Sequence, residues 1–213
     1  FPYTTLFRSV EKEDVTVVLS RKGWIRVLKG PKPSEIKYKE GDSERFVLAC
    51  LSTDRLVFIA TNGRSYTVAV DKLPKGKGTS SKEQGDPLSQ FIELGMADEI
   101  VSLFVESSSR ERDFVFVTTA GYGFRAKGAD LKASVRAGKQ VLQLAEDARV
   151  LACLEIINQS HLALIGENRK LLIFQISEIP LMSRGKGVRL QKYKLGERQG
   201  IGDAKLVDWE EGL

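Results

Sequence analysis

Three short stretches hold the residues of this chain best suited to chemistry. They read Lys75-Gly76-Lys77-Gly78, Arg136-Ala137-Gly138-Lys139 and Arg184-Gly185-Lys186-Gly187-Val188-Arg189. That chemistry is recognition of a polyanion rather than bond-making. Lys and Arg neutralise phosphates and release counterions, and glycine lets backbone N–H groups come close to a phosphate chain. Taken alone, any one of these loops reads as a solvated turn. Recurrence at the same place in a repeated unit favours function, and Arg184 to Arg189 is the strongest single candidate. Catalytic residues are harder to find. The only histidine, His161, has neither a second histidine nor a nearby cysteine, and reads as a satisfied strand residue. Ser107-Ser108-Ser109 reads as a loop without a base. Gly121-Tyr122-Gly123 lies between two strand-like runs, whereas a glycine-rich phosphate loop opens a helix. Tyr66, Tyr122 and Phe124 read as packing residues. No catalytic constellation emerges.

The segments that must position these loops repeat along the chain. Val17 to Arg26, V-V-L-S-R-K-G-W-I-R, is a β-hairpin pattern: β-forming residues, a polar turn with glycine where φ > 0 is needed, then a return strand. It recurs from Val57 to Tyr66, Val115 to Phe124 and Ala163 to Leu172. In the last copy Arg169 stands in the glycine's place after Asn168, a residue that tolerates φ > 0. The starts lie 40, 58 and 48 residues apart, the spacing of a propeller-like array. A second element is a turn aspartate leading an apolar run, at Asp42, Asp98, Asp147 and Asp203. A third follows the later hairpins: an apolar–acidic corner, a basic glycine loop and a strand, expected over Gln90 to Leu94, Gln140 to Leu144 and Val188 to Tyr193. The pattern predicts an all-β array of four-stranded blades. About three units are complete, over 42–95, 97–145 and 147–195, with a lone hairpin before them and a lone strand after. Thr79 to Pro87 is expected to be the most mobile loop.

Net charge is modestly basic at +5, with 33 Lys+Arg against 28 Asp+Glu, so the distribution decides more than the total. Arg21 to Lys39 holds seven basic residues and one acid, and Arg169 to Arg198 holds eight and two. Such clusters beside glycine turns are the footprint of a polyanion, most often nucleic acid. Cys50 and Cys153 each sit in an apolar run and read as small buried hydrophobes in a reducing compartment; they show no disulfide framework and no zinc spacing. No apolar run reaches transmembrane length and no signal peptide is evident, so a cytoplasmic location is expected.

At this point the residues resemble a family. Glu13 to Gly30, Lys37 to Ser43, Thr61 to Tyr66, Ala120 to Phe124, Val135 to Lys139 and Ser183 to Gly187 look like the C-terminal domain of the bacterial DNA topoisomerase IV A subunit. At one remove they are similar to that of gyrase A. The resemblance spans nearly everything after Ser9. Phe1 to Ser9 matches no copy of the repeat and reads as a tag, a scar or a frayed end, leaving 10–213 as the domain, cut short in its last blade. The resemblance implies a β-pinwheel whose basic rim binds and bends double-stranded DNA. It implies a fragment of an ATP-hydrolysing type II topoisomerase that acts in decatenation and supercoil relaxation, associated with the chromosome. The topoisomerase IV B subunit, together with a second copy of the A-type chain, are the implied partners. ATP and magnesium would be used elsewhere in the holoenzyme, with no cofactor in this chain, and the catalytic tyrosine would lie in a domain outside it. The glutamine-, arginine- and glycine-rich box that drives tight wrapping in gyrase is reduced here to Arg184-Gly185-Lys186-Gly187, which fits topoisomerase IV better. The residues assigned to the duplex are Arg21, Lys22, Arg26, Arg64, Lys75, Lys77, Arg125, Arg136, Lys139, Arg184, Lys186 and Arg189. The competing reading is a propeller-like module docking acidic protein partners.

Overall fold

The computed structural model describes residues 12–31, 35–76, 85–106, 111–192 and 200–208. Among them the structure is all-β, with short 3-10 turns and no α-helix. Each predicted hairpin forms where expected: β1 (Asp14–Ser20) with β2 (Trp24–Lys29), β4 (Arg55–Ala60) with β5 (Arg64–Ala69), β8 (Asp113–Thr118) with β9 (Tyr122–Lys127), and β12 (His161–Gly166) with β13 (Leu171–Gln175). The turns explain the repeat. Gly23, Gly63 and Gly121 sit at φ +81, +78 and +79, and Arg169 takes the same left-handed conformation at +61. Asn168 plays a different part from the one its type suggested. Its Oδ1 accepts the Lys170 N–H at 3.1 Å, as Asn62 Oδ1 accepts the Arg64 N–H at 3.0 Å.

The described residues form two compact units, 12–55 with 68–91 and 56–67 with 92 onward. The first holds one antiparallel sheet, in the order β3-β1-β2-β6, with β3 at Glu44–Leu51 and β6 at Asp86–Pro87. The second holds three sheets. The first runs β10-β5-β4-β7, with β7 at Ile100–Val105 and β10 at Lys139–Gln140. The next runs β11-β8-β9-β14, with β11 at Val150–Ile156 and β14 at Val188–Arg189; the last is β13-β12-β15, with β15 at Ile201–Val207.

This order corrects the strand grouping read from the sequence. The run after each turn aspartate does not open the next blade; it pairs with the hairpin before it, as β3 does with β1 and β11 with β8. The fourth strand of each complete blade comes from beyond the following hairpin, so β6 pairs with β2 and β14 with β9. The first hairpin is therefore part of a four-stranded blade rather than alone, and β15 is paired with β12 rather than free. The fourth strands are also shorter than expected, two residues each, and no strand forms over Gln90 to Leu94, where one was expected: Gln90 ends the 3-10 turn Leu88–Gln90, and the paired residues are Asp86–Pro87 before it. Asp203 lies within β15 and not in a turn. The acidic corners after the later hairpins are 3-10 turns, at Val70–Lys72, Gly128–Leu131 and Ile176–Glu178.

Strand periodicity builds the core of the second unit. Successive side chains of β8 point to opposite faces. Phe114 and Phe116 pack with Val57, Ile59, Phe104, Phe124 and Leu142, with the Phe104 and Phe114 rings stacked at 4.3 Å. Val115 and Val117 pack on the other side with Leu162, Leu164, Ile176 and Leu190. A strand buried on both faces needs an unbroken apolar run, and F-V-F-V supplies it.

Cys50 is half-buried and Cys153 buried, and neither forms a disulfide. Burial raises the Cys50 thiol to about 11 and pushes Cys153 further in the same direction, disfavouring the thiolate of both. A thiol reagent at pH 8 is expected to label Cys50 slowly and Cys153 only under denaturant. Fast labelling of Cys153 in the folded chain would contradict this packing.

Candidate nucleic-acid interface

The glycine loops have a backbone task. Gly85, Gly138 and Gly187 immediately precede the short fourth strands, at φ +82, +73 and +79. A Cβ at these positions would lie 2.0 Å from Ile25 O, 2.6 Å from Ser65 O and 2.3 Å from Gly123 O respectively. Each is thus stacked on its hairpin's return strand two residues past the turn glycine. The carbonyl of that turn glycine accepts a further bond: from Leu88 N–H at Gly23, Val141 N–H at Gly63 and Leu190 N–H at Gly121, at 2.8, 3.0 and 2.8 Å. The expectation that these loops bare glycine N–H groups to phosphate is corrected for three of them. Gly76 N–H donates to Val27 O, Gly138 N–H to Val135 O and Gly185 N–H to Val141 O. These three N–H groups are thus occupied within the fold.

The basic side chains divide sharply. Arg26, assigned to the duplex from sequence, is 3 % exposed, and its Nη2 donates to Lys37 O at 2.6 Å. It stands third after the turn glycine, the place of the fully buried Tyr66 and Phe124. Aligning the hairpins on their glycines would have shown this. Arg64 donates from Nε to Ala137 O, from Nη1 to Gln140 Oε1 and from Nη2 to Gly138 O, at 2.9, 3.1 and 3.3 Å. Arg125 Nε donates to Ile179 O at 2.7 Å, and Lys139 Nζ to Asp130 O at 2.5 Å. These cations tie loop carbonyls to strands. Arg64→Ala is expected to cost about 2 kcal/mol of unfolding free energy, measured in urea, while leaving the salt slope of polyanion binding within error. A flattened slope at unchanged stability would reverse that assignment.

The remaining assigned cations, Lys77 apart, are exposed. Arg21 and Lys22 sit in the first turn, where the Lys22 N–H donates to Asp42 Oδ1 at 3.0 Å. Lys75 pairs through backbone with Val27, and Arg136 lies in the loop before β10. Lys77 lies outside the described residues, as do Ser107–Ser109 and 79–84 of the loop expected to be mobile. His161 is a paired strand residue with Nδ1 2.7 Å from Ser160 Oγ.

Arg184, Lys186 and Arg189 form the densest group. Arg184 is exposed and has no side-chain partner among the described residues. Lys186 Nζ lies 4.3 Å from the centroid of the Tyr122 ring. Arg189 Nη2 donates to Tyr122 Oη at 2.9 Å, with its guanidinium carbon 5.3 Å from the ring. Cations elsewhere meet carboxylates: Arg112 with Glu155, Lys127 with Glu111 and Lys132 with Glu106. Among the described residues no ion pair neutralises Arg184, Lys186 or Arg189. The loop is also held beside the preceding basic segment. Leu142 pairs with Gly185, and Gln143 N–H donates to Gly185 O at 2.9 Å. In the other unit Lys39 Nζ sits 3.1 Å from the Trp24 ring centroid. Sequence reasoning missed Lys39 and Tyr122. Tyr122 is no packing residue, unlike Tyr66 and Phe124, because it stands directly after the turn glycine, two places nearer the hairpin tip.

Four-residue turns, strands shared between successive hairpins and a basic loop with no ion pair among the described residues define a β-pinwheel module of the gyrase A C-terminal class. The family described as DNA gyrase C-terminal domain, beta-propeller, matches residues 112–156 and 160–199. The chain is 36 % identical over 206 residues to the DNA topoisomerase 4 A subunit of Rickettsia felis, covering 96 % of this chain and 26 % of that one. It is 38 % identical over 205 residues to the Caulobacter vibrioides protein of the same name, covering 95 % and 25 %. The structure of the E. coli ParC C-terminal domain superposes with a TM-score of 0.80 at 31 % identity, covering 92 % of this chain and 80 % of that one. The chain belongs to the family of C-terminal domains of the topoisomerase IV A subunit. It spans about a quarter of the length of the curated relatives it matches. Among the described residues no helix is long and apolar enough to cross a membrane.

Proposed function

We propose that this chain is the part of a bacterial type II topoisomerase that binds and bends duplex DNA. On this reading it engages the transported segment and so sets preference in decatenation and supercoil relaxation. One observation carries the reading: Arg184, Lys186 and Arg189 are exposed on one loop and its strand, with no carboxylate among the described residues to neutralise them. Unpaired surface cations are expensive to crowd unless a polyanion relieves their repulsion, and duplex DNA presents a charge every ~1.7 Å. The side-by-side pairing of Val141–Gln143 with Gly185 supports a contact surface running from one sheet of this unit to the next. Bending would let one duplex reach both.

The duplex residues on this reading are the exposed cations Arg184, Lys186 and Arg189 first, with Arg21, Lys22, Lys75 and Arg136, together with Lys77, which lies outside the described residues. Catalysis would belong to other domains of the holoenzyme, with ATP and magnesium used there. Its partners would be the topoisomerase IV B subunit, with a second copy of the A-type chain, in the cytoplasm and on the chromosome. The test is duplex affinity as a function of salt, with poly-glutamate of matched charge as competitor. Strong duplex binding with a steep salt slope, resistant to poly-glutamate, is expected. Equal displacement by poly-glutamate would favour an acidic protein partner.

A further inference from the structure

We propose that Tyr122 is a phosphate-binding and positioning residue, gathering Lys186 and Arg189 into one cradle for a backbone phosphodiester and donating its own hydroxyl hydrogen to it. This rests on the duplex reading above. Tyr122 and Arg189 are cross-strand partners in the β9–β14 pairing, so the backbone itself holds the guanidinium beside the phenol. Gly187, stacked on Gly123, places Lys186 two residues before that strand. The electron-rich ring face attracts both cations and offsets their mutual repulsion. The ring thereby holds two flexible side chains close together before any ligand arrives, which lowers the entropic cost of binding.

The hydroxyl has a further part. Its oxygen accepts from Arg189 Nη2, so its hydrogen is directed elsewhere. A cation donating to a phenol polarises the O–H into a stronger donor. Arg189's hydrogen bond, outweighing the slight desolvation of the phenol, lowers the Tyr122 pKa from its ordinary value. Ammonium, guanidinium and hydroxyl then surround one ring, and all three are donors. A phosphodiester offers such a set two non-bridging oxygens that share one negative charge. The place recurs in other sheets. Trp24 directly follows Gly23 and carries Lys39 over its ring, and Arg64 directly follows Gly63.

The test compares this chain with Y122F, Y122A and the double variant K186A/R189A, each titrated with a 20-base-pair duplex across a salt series. Y122F keeps the ring and every charge. It is expected to weaken binding about fivefold with an unchanged salt slope, as for the loss of one hydrogen bond of ordinary net strength. Y122A is expected to weaken it about 20-fold and to flatten the slope by about 1, because cations no longer held by the ring contact phosphate less fully. Wild-type affinity in Y122F and Y122A, with K186A/R189A weakened, would overturn the role of Tyr122 and leave duplex binding standing. Wild-type affinity in K186A/R189A would overturn the cradle and the duplex reading of this loop together.

Discussion

Alanine at Arg184, Lys186 and Arg189 together is expected to weaken duplex binding on the order of 100-fold at 0.1 M salt, and to flatten the slope of log K against log salt by about 2.7. The magnitude follows from counterion release, at about 0.9 ions for each phosphate neutralised on B-form DNA. All three side chains are exposed, and their removal breaks no salt bridge among the described residues. The fold should therefore survive, with a melting curve near that of the parent. Sequence preference should not change, because phosphate contacts position a duplex without reading its bases. A parallel variant at Arg64 and Arg125 removes two positive charges that hold loop carbonyls. Its main effect should be on stability. If the two sets flatten the salt slope equally per charge removed, long-range charge rather than this loop governs binding.

Gly187→Ala is expected to cost about 3 kcal/mol and to lower the midpoint of thermal unfolding by about 6–10 °C. Two penalties combine. The residue sits at φ +79, where an L side chain costs ~1–2 kcal/mol. Its Cβ would also meet backbone, at 2.3 Å from Gly123 O and 2.6 Å from Gly123 C, and backbone cannot rotate aside. Gly23→Ala is the control, because Gly23 has the same conformation at φ +81 but nothing within 4 Å of its Cβ. It should cost about 1 kcal/mol. Equal costs in urea unfolding would mean that the β14–β9 stacking is looser than the geometry implies. Gly187→Ala should also weaken DNA binding although net charge is unchanged, since β14 carries Arg189 and the preceding turn carries Lys186. Unchanged affinity at reduced stability would separate the loop's position from its function.

Much of the site was legible because charge and turn chemistry are local. The basic loops, the turn glycines and the apolar runs are visible as residue types at fixed offsets. Less legible was which cations remain available. Arg26, Arg64 and Arg125 lie beside the same turns as the exposed ones, yet their guanidinium groups are occupied by carbonyls 11, 73 and 54 residues away. A carbonyl acceptor leaves no signature in residue type, since every residue has one. Tyr122 was hidden for a related reason. An aromatic residue in a hairpin reads as core, and only its cross-strand partner Arg189 shows that it faces a cation instead.

The amino-acid sequence by itself determined the hairpins. A residue able to adopt φ > 0 and strands of period two are local requirements, written into residues that are neighbours in the chain. It also determined the all-β class and the places where positive charge accumulates. Only the tertiary structure decided how hairpins become blades. Every run after a turn aspartate has the same apolar pattern and would fit the hairpin on either side of it. The choice of β11 for β8, and of β14 for β9, rests on contacts between residues tens of positions apart. That long-range pairing brings Arg189 beside Tyr122, and among the described residues it leaves the cations of the last basic loop without a carboxylate.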